Sequence, residues 1–300
     1  MSRPSSGFPA PARRLSRAGG GAVPASPAAA GVDLAAVFGP VRSQNAFEET
    51  VERLLAVIKL GVVGPGERFP PERELAALLG VSRITLREAI GDLRNAGYVE
   101  SRRGRFGGTF VRYTPPSPSR VELRRIAVED ADKINDALTF RMAVETGAAQ
   151  ILAQLEAGGR DDHRRDDHRR DDHRRDDRRR DDRRRDDRRS RERVRDVLLA
   201  RLAAVNRAGP EDYRRMDTLF HLAIAELTGS SLLASACADA RVRLNDLLNA
   251  IPVLQRNIDH TASQHTAIVE GILAGDTRRA QRAVAEHLDG TAALLRGFLE

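Results

Sequence analysis

Residues 70–109 read PPERELAALLGVSRITLREAIGDLRNAGYVESRRGRFGGT, and this stretch decides the fold of the first third of the chain. The two prolines favour a helix start, and an amphipathic run follows as far as Gly80, which can adopt the left-handed conformation that ends a helix. Ser82 is a good N-cap for a second helix, which we predict over residues 83–95. The stretch therefore predicts two short helices joined by a tight turn.

The second helix has two distinct faces. Leu86, Ile90 and Leu93 lie at i, i+4 and i+7, which predicts one buried side. The opposite side presents Arg83 and Arg87 in its first turns. A helix placed in this way after a short turn is the second helix of a helix-turn-helix, which reads base edges in the major groove.

A basic hairpin follows the helices. Residues 98–103 alternate as a strand, residues 104–108 form a glycine-rich tip, and residues 109–113 return as a second strand. Gly107 and Gly108 would let the backbone approach a phosphate or a minor groove closely. A generic helical pair with a surface hairpin explains these features less completely. The glycines do not indicate a dinucleotide loop, because the strand-turn-helix context is missing. We predict a winged helix-turn-helix.

Residues 46–111 resemble the GntR family of bacterial transcription regulators, in the subfamily typified by the fatty-acid regulator FadR. The resemblance implies DNA contacts by Arg73, Arg83, Arg87 and Gly107. Ile84 departs from the small hydroxyl residue common in relatives, and it can touch a thymine methyl but cannot form a hydrogen bond, so the resemblance does not imply the operator sequence. The residues predicted to contact DNA are Arg73, Arg83, Ile84, Thr85, Arg87, Arg105, Gly107 and Gly108.

The charge is unevenly placed along the 300 residues. The net charge of +7 divides into 16 Lys and Arg against 10 Asp and Glu in residues 1–113, and 34 against 33 in residues 114–300. The excess positive charge therefore lies with the predicted DNA-binding part. No membrane span or signal peptide is indicated, so we expect a cytoplasmic protein. The single Cys237 is expected to pack as a small hydrophobe.

Composition suggests four segments. Residues 1–42 are rich in Pro, Ala, Gly and Ser with scattered arginines, and they indicate a disordered basic tail that either adds nonspecific DNA affinity or is a dispensable extension. Residues 43–113 are the predicted winged helix-turn-helix, and residues 114–120 form a proline-stiffened linker. Residues 121–300 have helical periodicity, which predicts a mainly α protein with a C-terminal antiparallel helical bundle. The predicted helices cover residues 128–156, 191–206, 211–228, 231–250, 259–274 and 276–298.

Six charged pentads, DDHRR three times, DDRRR twice and DDRRS, occupy residues 161–190. A helix would gain many weak Asp–Arg pairs, yet successive pentads rotate charge onto every side and leave no face to bury. We expect a solvated charged rod or a disordered loop, inserted in the connector between the first two bundle helices. His163, His168 and His173 do not share a helix face, so we do not expect a metal site there.

Four histidines lie outside the repeat. Asp217 and His221 are spaced i, i+4, while His265 and His287 sit in the last two predicted helices. Three imidazoles and a carboxylate that converged would bind a divalent transition metal and leave positions open for a ligand. From spacing alone, a surface pair and satisfied core histidines explain the same residues.

Outside the repeat, residues 137–299 resemble the FCD ligand-binding domain of FadR-type regulators, on the stretches FRMAVETGAAQIL, MDTLFHLAIAELTGSSLL and QHTAIVEGILAGDTRRAQRAVAEHLDG. The resemblance implies a metal held by Asp217, His221, His265 and His287, with zinc as the default and nickel or manganese as alternatives. It also implies a small carboxylate effector, with Arg141 as the pocket arginine. An i, i+4 pair between Arg141 and Glu145 is the open alternative.

We therefore expect a homodimeric regulator, most simply a repressor, that binds a pseudo-palindromic double-stranded operator and responds to a carboxylate. Two alternatives remain at this point. One is a metal-dependent enzyme fused to a DNA-binding domain, against which we find no general base beside the proposed ligands and no nucleophile motif. The other is an architectural DNA-binding protein with a purely structural metal.

Overall fold

The computed structural model describes residues 45–114, 119, 121–122, 125, 129–165, 176–251, 253 and 255–299. The predicted N-terminal tail lies outside the described residues, as does most of the predicted linker. Within the described part the chain is mainly helical, with one two-stranded sheet.

Three helices begin the described chain: α1 (Ala46–Lys59), α2 (Glu72–Leu79) and α3 (Arg83–Asn95). Gly80 ends α2 in the left-handed conformation, at φ 68°. Ser82 caps α3 by accepting a hydrogen bond from the Thr85 amide. The predicted bounds of the second helix are those observed, because both of its ends are marked by residues with strong capping preferences.

Two antiparallel strands complete this unit, β1 (Val99–Arg102) and β2 (Gly108–Val111). Val99 pairs with Val111 at the base and Arg102 with Gly108 at the tip. The base residues are buried, whereas Arg102 at the tip is exposed to solvent. The predicted hairpin wing is therefore observed, attached to the helices through its apolar base.

Six named helices follow among the residues that the structure describes: α4 (Ala131–Arg165), α5 (Asp176–Arg207), α6 (Pro210–Leu227), α7 (Ser231–Ala250), α8 (Gln255–Leu273) and α9 (Thr277–Leu299). Helix α4 contacts α6, α7, α8 and α9, so it runs through the centre of the bundle. Gly271 on α8 lies against the backbone of Ala280 on α9, where an added Cβ would stand 2.8 Å from the Ala280 nitrogen. The missing side chain lets the last two helices pack closely.

The pentad repeat is helical wherever the structure describes it. Residues 161–165 extend α4, residues 176–190 begin α5, and residues 166–175 fall outside the described part of the chain. Both helices are longer than predicted, because the sequence prediction required an apolar face and the repeat has none. The predictions about His168 and His173 fall outside the described residues.

The DNA-binding unit rests on the bundle through polar contacts. Arg53 and Lys59 of α1 pair with Asp239 and Asp246 of α7, at 3.3 and 2.8 Å. Arg215 of α6 inserts its side chain into the loop that follows α1. There its Nε donates to the Gly61 carbonyl at 2.7 Å and its Nη2 lies 2.8 Å from Glu67 Oε2.

Candidate metal centre and nucleic-acid interface

The second helix of the motif, α3, presents the predicted reading residues to solvent. Arg83, Ile84 and Arg87 are exposed, with Ile84 at 70%. Thr85 is half-buried, and its hydroxyl lies 2.8 Å from that of Ser82 within the N-cap. The structure thus gives Thr85 a part in starting the helix.

A neighbouring carboxylate holds Arg87. Its Nε donates to Glu72 Oε2 at 2.7 Å across the two helices of the motif, and both side chains remain largely exposed. Arg73, next to Glu72 on α2, is also exposed. The ion pair orients the guanidinium while leaving its remaining N–H donors open to solvent.

The wing tip is a tight turn in which the Gly107 amide donates to the Gly104 carbonyl at 2.9 Å. A Cβ on Gly107 would stand 2.4 Å from the Arg102 carbonyl oxygen. Gly107 therefore has a structural role, because its lack of a side chain lets the two strands of the wing approach each other closely at the tip. Arg105 is exposed, and beside it Phe106 is 82% exposed, a residue that the sequence analysis did not select.

A groove between the wing and the two helices is lined by guanidinium groups. Arg68 and Arg102 contribute to it although the sequence analysis did not select them. Arg68 donates to the Gly107 carbonyl at 3.3 Å, and the Arg102 guanidinium stacks over Phe110 at 4.3 Å. The arginines that line the groove are Arg68, Arg73, Arg83 and Arg102.

In the bundle, the four predicted metal ligands come together from three helices. Asp217 and His221 lie one turn apart on α6, while α8 supplies His265 and α9 supplies His287. One ligand atom from each lies within 4.8 Å of all the others. Asp217 Oδ1 is 3.2 Å from His265 Nε2, 3.7 Å from His287 Nε2 and 3.8 Å from His221 Nε2.

The inward-facing nitrogens all point toward the Asp217 carboxylate. Nε2 of His221, His265 and His287 is buried and makes no hydrogen bond of good geometry, although His265 Nε2 lies 3.2 Å from Asp217 Oδ1. The outward nitrogens of two rings are held, because His221 Nδ1 lies 2.8 Å from Glu145 Oε2 and His287 Nδ1 lies 3.2 Å from Gln264 Oε1. Rings fixed at one nitrogen with the other left free are typical of metal-binding histidines, so the residues fit a metal ion.

The electrostatics of the cluster favour the protonation states that bind metals. Burial, followed by the positive charge of Arg241, lowers the pKa of His221 to about 4. Burial and the neighbouring imidazoles hold the pKa of His287 well below its ordinary value. Burial alone would raise the pKa of Asp217, but contact with His265 and the charge of Arg241 outweigh it and keep that pKa well below its ordinary value. The neutral imidazoles of His221 and His287 and the ionised Asp217 carboxylate are ready to bind a cation.

A cavity of about 300 Å³ opens beside the cluster. Arg141 lines this cavity. It also forms the i, i+4 pair with Glu145 that the sequence analysis gave as the alternative to effector binding, since its Nε donates to Glu145 Oε1 at 2.9 Å. The same guanidinium can serve both roles, because a guanidinium has five N–H donors. Polar groups from α6 to α9 line the rest of the cavity: Tyr213, Arg214, Arg241, Asn245, Asn249 and Gln264.

Arg241 on α7 is the central residue that the sequence analysis missed. It is buried, and it donates to Glu145 Oε1 at 2.9 Å and to Asp217 Oδ2 at 3.1 Å. The sequence could have indicated that Arg241 is buried, because this residue shares the apolar side of α7 with Cys237 and Leu244. An arginine on such a face needs a buried carboxylate, and two of them lie on the neighbouring helices.

Comparison with known proteins accounts for both halves of the chain. Residues 47–111 match the family described as "Bacterial regulatory proteins, gntR family", and residues 183–290 match the "FCD domain". The "Putative L-lactate dehydrogenase operon regulatory protein" of Escherichia coli (strain K12) is 27% identical over 271 residues, 84% of this chain and 87% of the relative. The "Uxu operon transcriptional regulator" of the same organism is 26% identical over 268 residues, 85% and 89% of the two chains.

Among solved structures, "E. coli McbR/YncC" aligns with 85% of this chain and 99% of its own, at a TM-score of 0.42 and 16% identity. The two sequence relatives given above are both named as regulators of operons. In the described part of the chain, no helix combines the length and the apolar character needed to cross a membrane.

Proposed function

Since this chain belongs to the GntR family of bacterial regulatory proteins and is a transcriptional regulator with an FCD domain, we propose that a small carboxylate bound beside a metal ion controls its affinity for operator DNA. The observation that carries the proposal is a buried set of three imidazoles whose Nε2 atoms converge on the Asp217 carboxylate, beside a cavity lined by arginines.

The metal ligands in this proposal are Asp217, His221, His265 and His287. Zinc is the default ion for such nitrogen-rich sites, with nickel or manganese as alternatives. When bound, a divalent cation would supply a fixed positive charge and open coordination positions at the cavity wall. Glu145 and Gln264 hold two of the rings by their outer nitrogens, so the chain itself orients the ligands before the ion arrives.

The carboxylate effector is supported by the charge of the cavity wall. Arg141 faces the cavity from α4, and a guanidinium binds a carboxylate with two parallel hydrogen bonds. One relative is named for an L-lactate dehydrogenase operon, and the substrate of such an enzyme is a small hydroxy acid. A small organic acid is therefore the ligand class that suits the site.

For DNA we propose that a homodimer places two copies of α3 in successive major grooves of a pseudo-palindromic operator and acts as a repressor. The exposed guanidinium groups on α2, α3 and the wing face the same groove, which suits contact with phosphates and base edges. The proposed contacts are Arg73, Arg83, Ile84, Thr85, Arg87, Arg105, Gly107 and Gly108.

Helix α6 provides a physical connection between the two sites. It carries Asp217 and His221 on the side of the cluster and Arg215 on the side of the DNA-binding unit. A small shift of α6 when the effector binds would change the contacts of Arg215 with Gly61 and Glu67. A coupling free energy of about 1 to 3 kcal/mol is enough to change operator affinity from several-fold to about a hundredfold.

The proposal is tested by selecting a preferred duplex from random DNA with the metal-loaded protein and following its binding by fluorescence anisotropy while carboxylates are added. Release of the duplex by a carboxylate, and no release after the metal is removed, is the expected result. Operator binding that no carboxylate changes would favour the architectural alternative with a structural metal.

Replacing Arg215 by Ala is expected to uncouple the sites. The variant should still bind the operator, while the ratio of operator affinities with and without the effector falls to about one, since the contact that transmits the shift is gone. Anisotropy titrations at fixed salt measure that ratio. Arg278→Ala, an exposed position on α9, removes the same charge and should keep the wild-type ratio. A wild-type response in Arg215→Ala would exclude this connection.

Replacing Gly107 by Ala is expected to weaken operator binding about tenfold, because fitting an extra carbon into a closely packed position costs on the order of 1 to 3 kcal/mol. The new Cβ would stand 2.4 Å from the Arg102 carbonyl, so the wing must move. Anisotropy gives the affinity, and circular dichroism checks the helices. Gly147→Ala on α4, where a Cβ meets nothing within 4 Å, is the matched control and should bind like the wild type. Equal affinities of the two variants would remove the wing tip from the interface.

A further inference from the structure

The cavity beside the metal cluster contains a second cationic group, Arg214. It lies on α6 three residues before Asp217, and its guanidinium lines the cavity. Its Nε is buried with no hydrogen-bond partner, and its Nη2 has only a long contact to the Ile251 carbonyl, at 3.5 Å. Among the described residues, none supplies a carboxylate oxygen within 4.0 Å of this guanidinium, so most of its donors are unused.

The other two arginines of the cavity are already neutralised. Arg141 pairs with Glu145, and Arg241 pairs with both Glu145 and Asp217. Two guanidinium groups and two carboxylates balance, which leaves the charge of Arg214 in excess. A metal ion at the cluster would add to that excess. A partly buried cation without a counter-ion is unfavourable, so the cavity favours a ligand with more than one negative charge.

The positions of these charges indicate how far apart the anionic groups of such a ligand must be. Arg214 and Asp217 are neighbours at i, i+3 on one helix, and side chains so spaced start about 5 to 6 Å apart. The cluster, which would be cationic once it holds a metal ion, lies at the Asp217 end, and the Arg214 guanidinium lies one turn away. A monocarboxylate can occupy one end only, whereas a short dicarboxylate spans both.

The size and polarity of the cavity fit a small and polar molecule. Its volume of about 300 Å³ lies at the low end of ligand sites. Asn245, Asn249 and Gln264 add amide groups to the wall, and each can both donate to and accept from a hydroxyl. A hydroxyl substituent on the acid would find hydrogen-bond partners among these amides.

We propose that the effector is a small dicarboxylate, one end of which lies at the cluster while Arg214 binds the other end through paired hydrogen bonds. This inference rests on the proposed function, since it specifies the ligand of the same site. It makes Arg214 the residue that separates dicarboxylates from monocarboxylates.

Calorimetric titration of the metal-loaded full chain tests the inference with malonate, succinate, L-malate and glutarate against acetate, L-lactate and butyrate at matched ionic strength. At least one dicarboxylate is expected to bind at least about tenfold more tightly than every monocarboxylate, a difference of about 1.4 kcal/mol. Arg214→Gln should lower that affinity to the level of the monocarboxylates. Arg278→Gln, far from the cavity on α9, is the matched control and should keep the preference. Metal content and circular dichroism are recorded for every variant.

Arg214→Lys gives a second measurement if the glutamine variant does not fold, because it keeps the charge but loses the paired geometry. An affinity between those of the wild type and the monocarboxylate level is expected. Equal affinity of the wild type for both acid classes would overturn the inference while leaving the carboxylate effector in place. A preference that survives in Arg214→Gln would do the same. If no acid of either class binds, the proposed carboxylate effector is itself wrong.

Discussion

His265→Ala and His287→Ala are each expected to lose the metal that we expect the wild-type chain to retain at about one ion per chain. Both imidazoles are buried, both point Nε2 toward Asp217, and they come from two different helices. Removing either leaves three ligands for a site built for four, and the affinity falls by more than the roughly 10- to 100-fold known for lost outer contacts. Elemental analysis of the purified variants after dialysis measures the loss.

A matched control separates loss of the ligand from loss of the fold. His260 lies on α8 with His265 and lines the cavity, but its side chain is exposed and is not part of the cluster. His260→Ala should therefore retain about one ion per chain. A wild-type chain that purifies without metal and takes up none would overturn the metal site and leave the DNA-binding unit unaffected.

Arg87→Ala is expected to lose specific operator binding while the fold stays intact. Arg87 is exposed on α3 and held in orientation by Glu72, which suits paired hydrogen bonds to a guanine edge. Loss of such a contact costs about 1 to 3 kcal/mol at each half-site, and a dimer loses it twice. Anisotropy titrations with the selected duplex and with an unrelated duplex give the specificity ratio.

Arg94→Ala is the control for this variant, because it removes the same charge from the exposed last turn of the same helix. It should weaken binding to both duplexes equally and leave the specificity ratio near that of the wild type. A wild-type ratio in Arg87→Ala would show that this side chain contacts only phosphates or does not contact DNA. The salt dependence of binding distinguishes those two cases.

The DNA-binding unit could be predicted from the sequence because its determinants are local. Ser82 and Gly80 fix helix ends through their own backbone preferences, and the apolar spacing of α3 identifies its buried side. The prediction of the four-residue cluster, in contrast, depended on the resemblance to a family. Only Asp217 and His221 are neighbours in sequence, while His265 and His287 reach the cluster through the packing of separate helices.

The residues that the sequence analysis missed in the bundle are held by long-range pairing. Arg241 and Glu145 are 96 positions apart in the sequence, and no local pattern around either residue predicts that they form a pair. Gln264 likewise became visible only through its contact with His287. The helix bounds within the repeat could not be predicted for a different reason: residues 176–190 form a helix although they have no apolar side, and a rule based on amphipathicity cannot detect such a helix.

Helix α6 is a difficult place to mutate if this protein is to be engineered to respond to another molecule. Arg214, Arg215 and Asp217 are within four positions and face the cavity, the DNA-binding unit and the metal cluster. Under the proposed function, a substitution made there to admit a new compound would change both the binding of the effector and the contact through which we propose that α6 acts on the DNA-binding unit. Libraries that vary Asn245 on α7 and Thr291 on α9 reshape the same cavity without that conflict, and they are the better starting point for engineering.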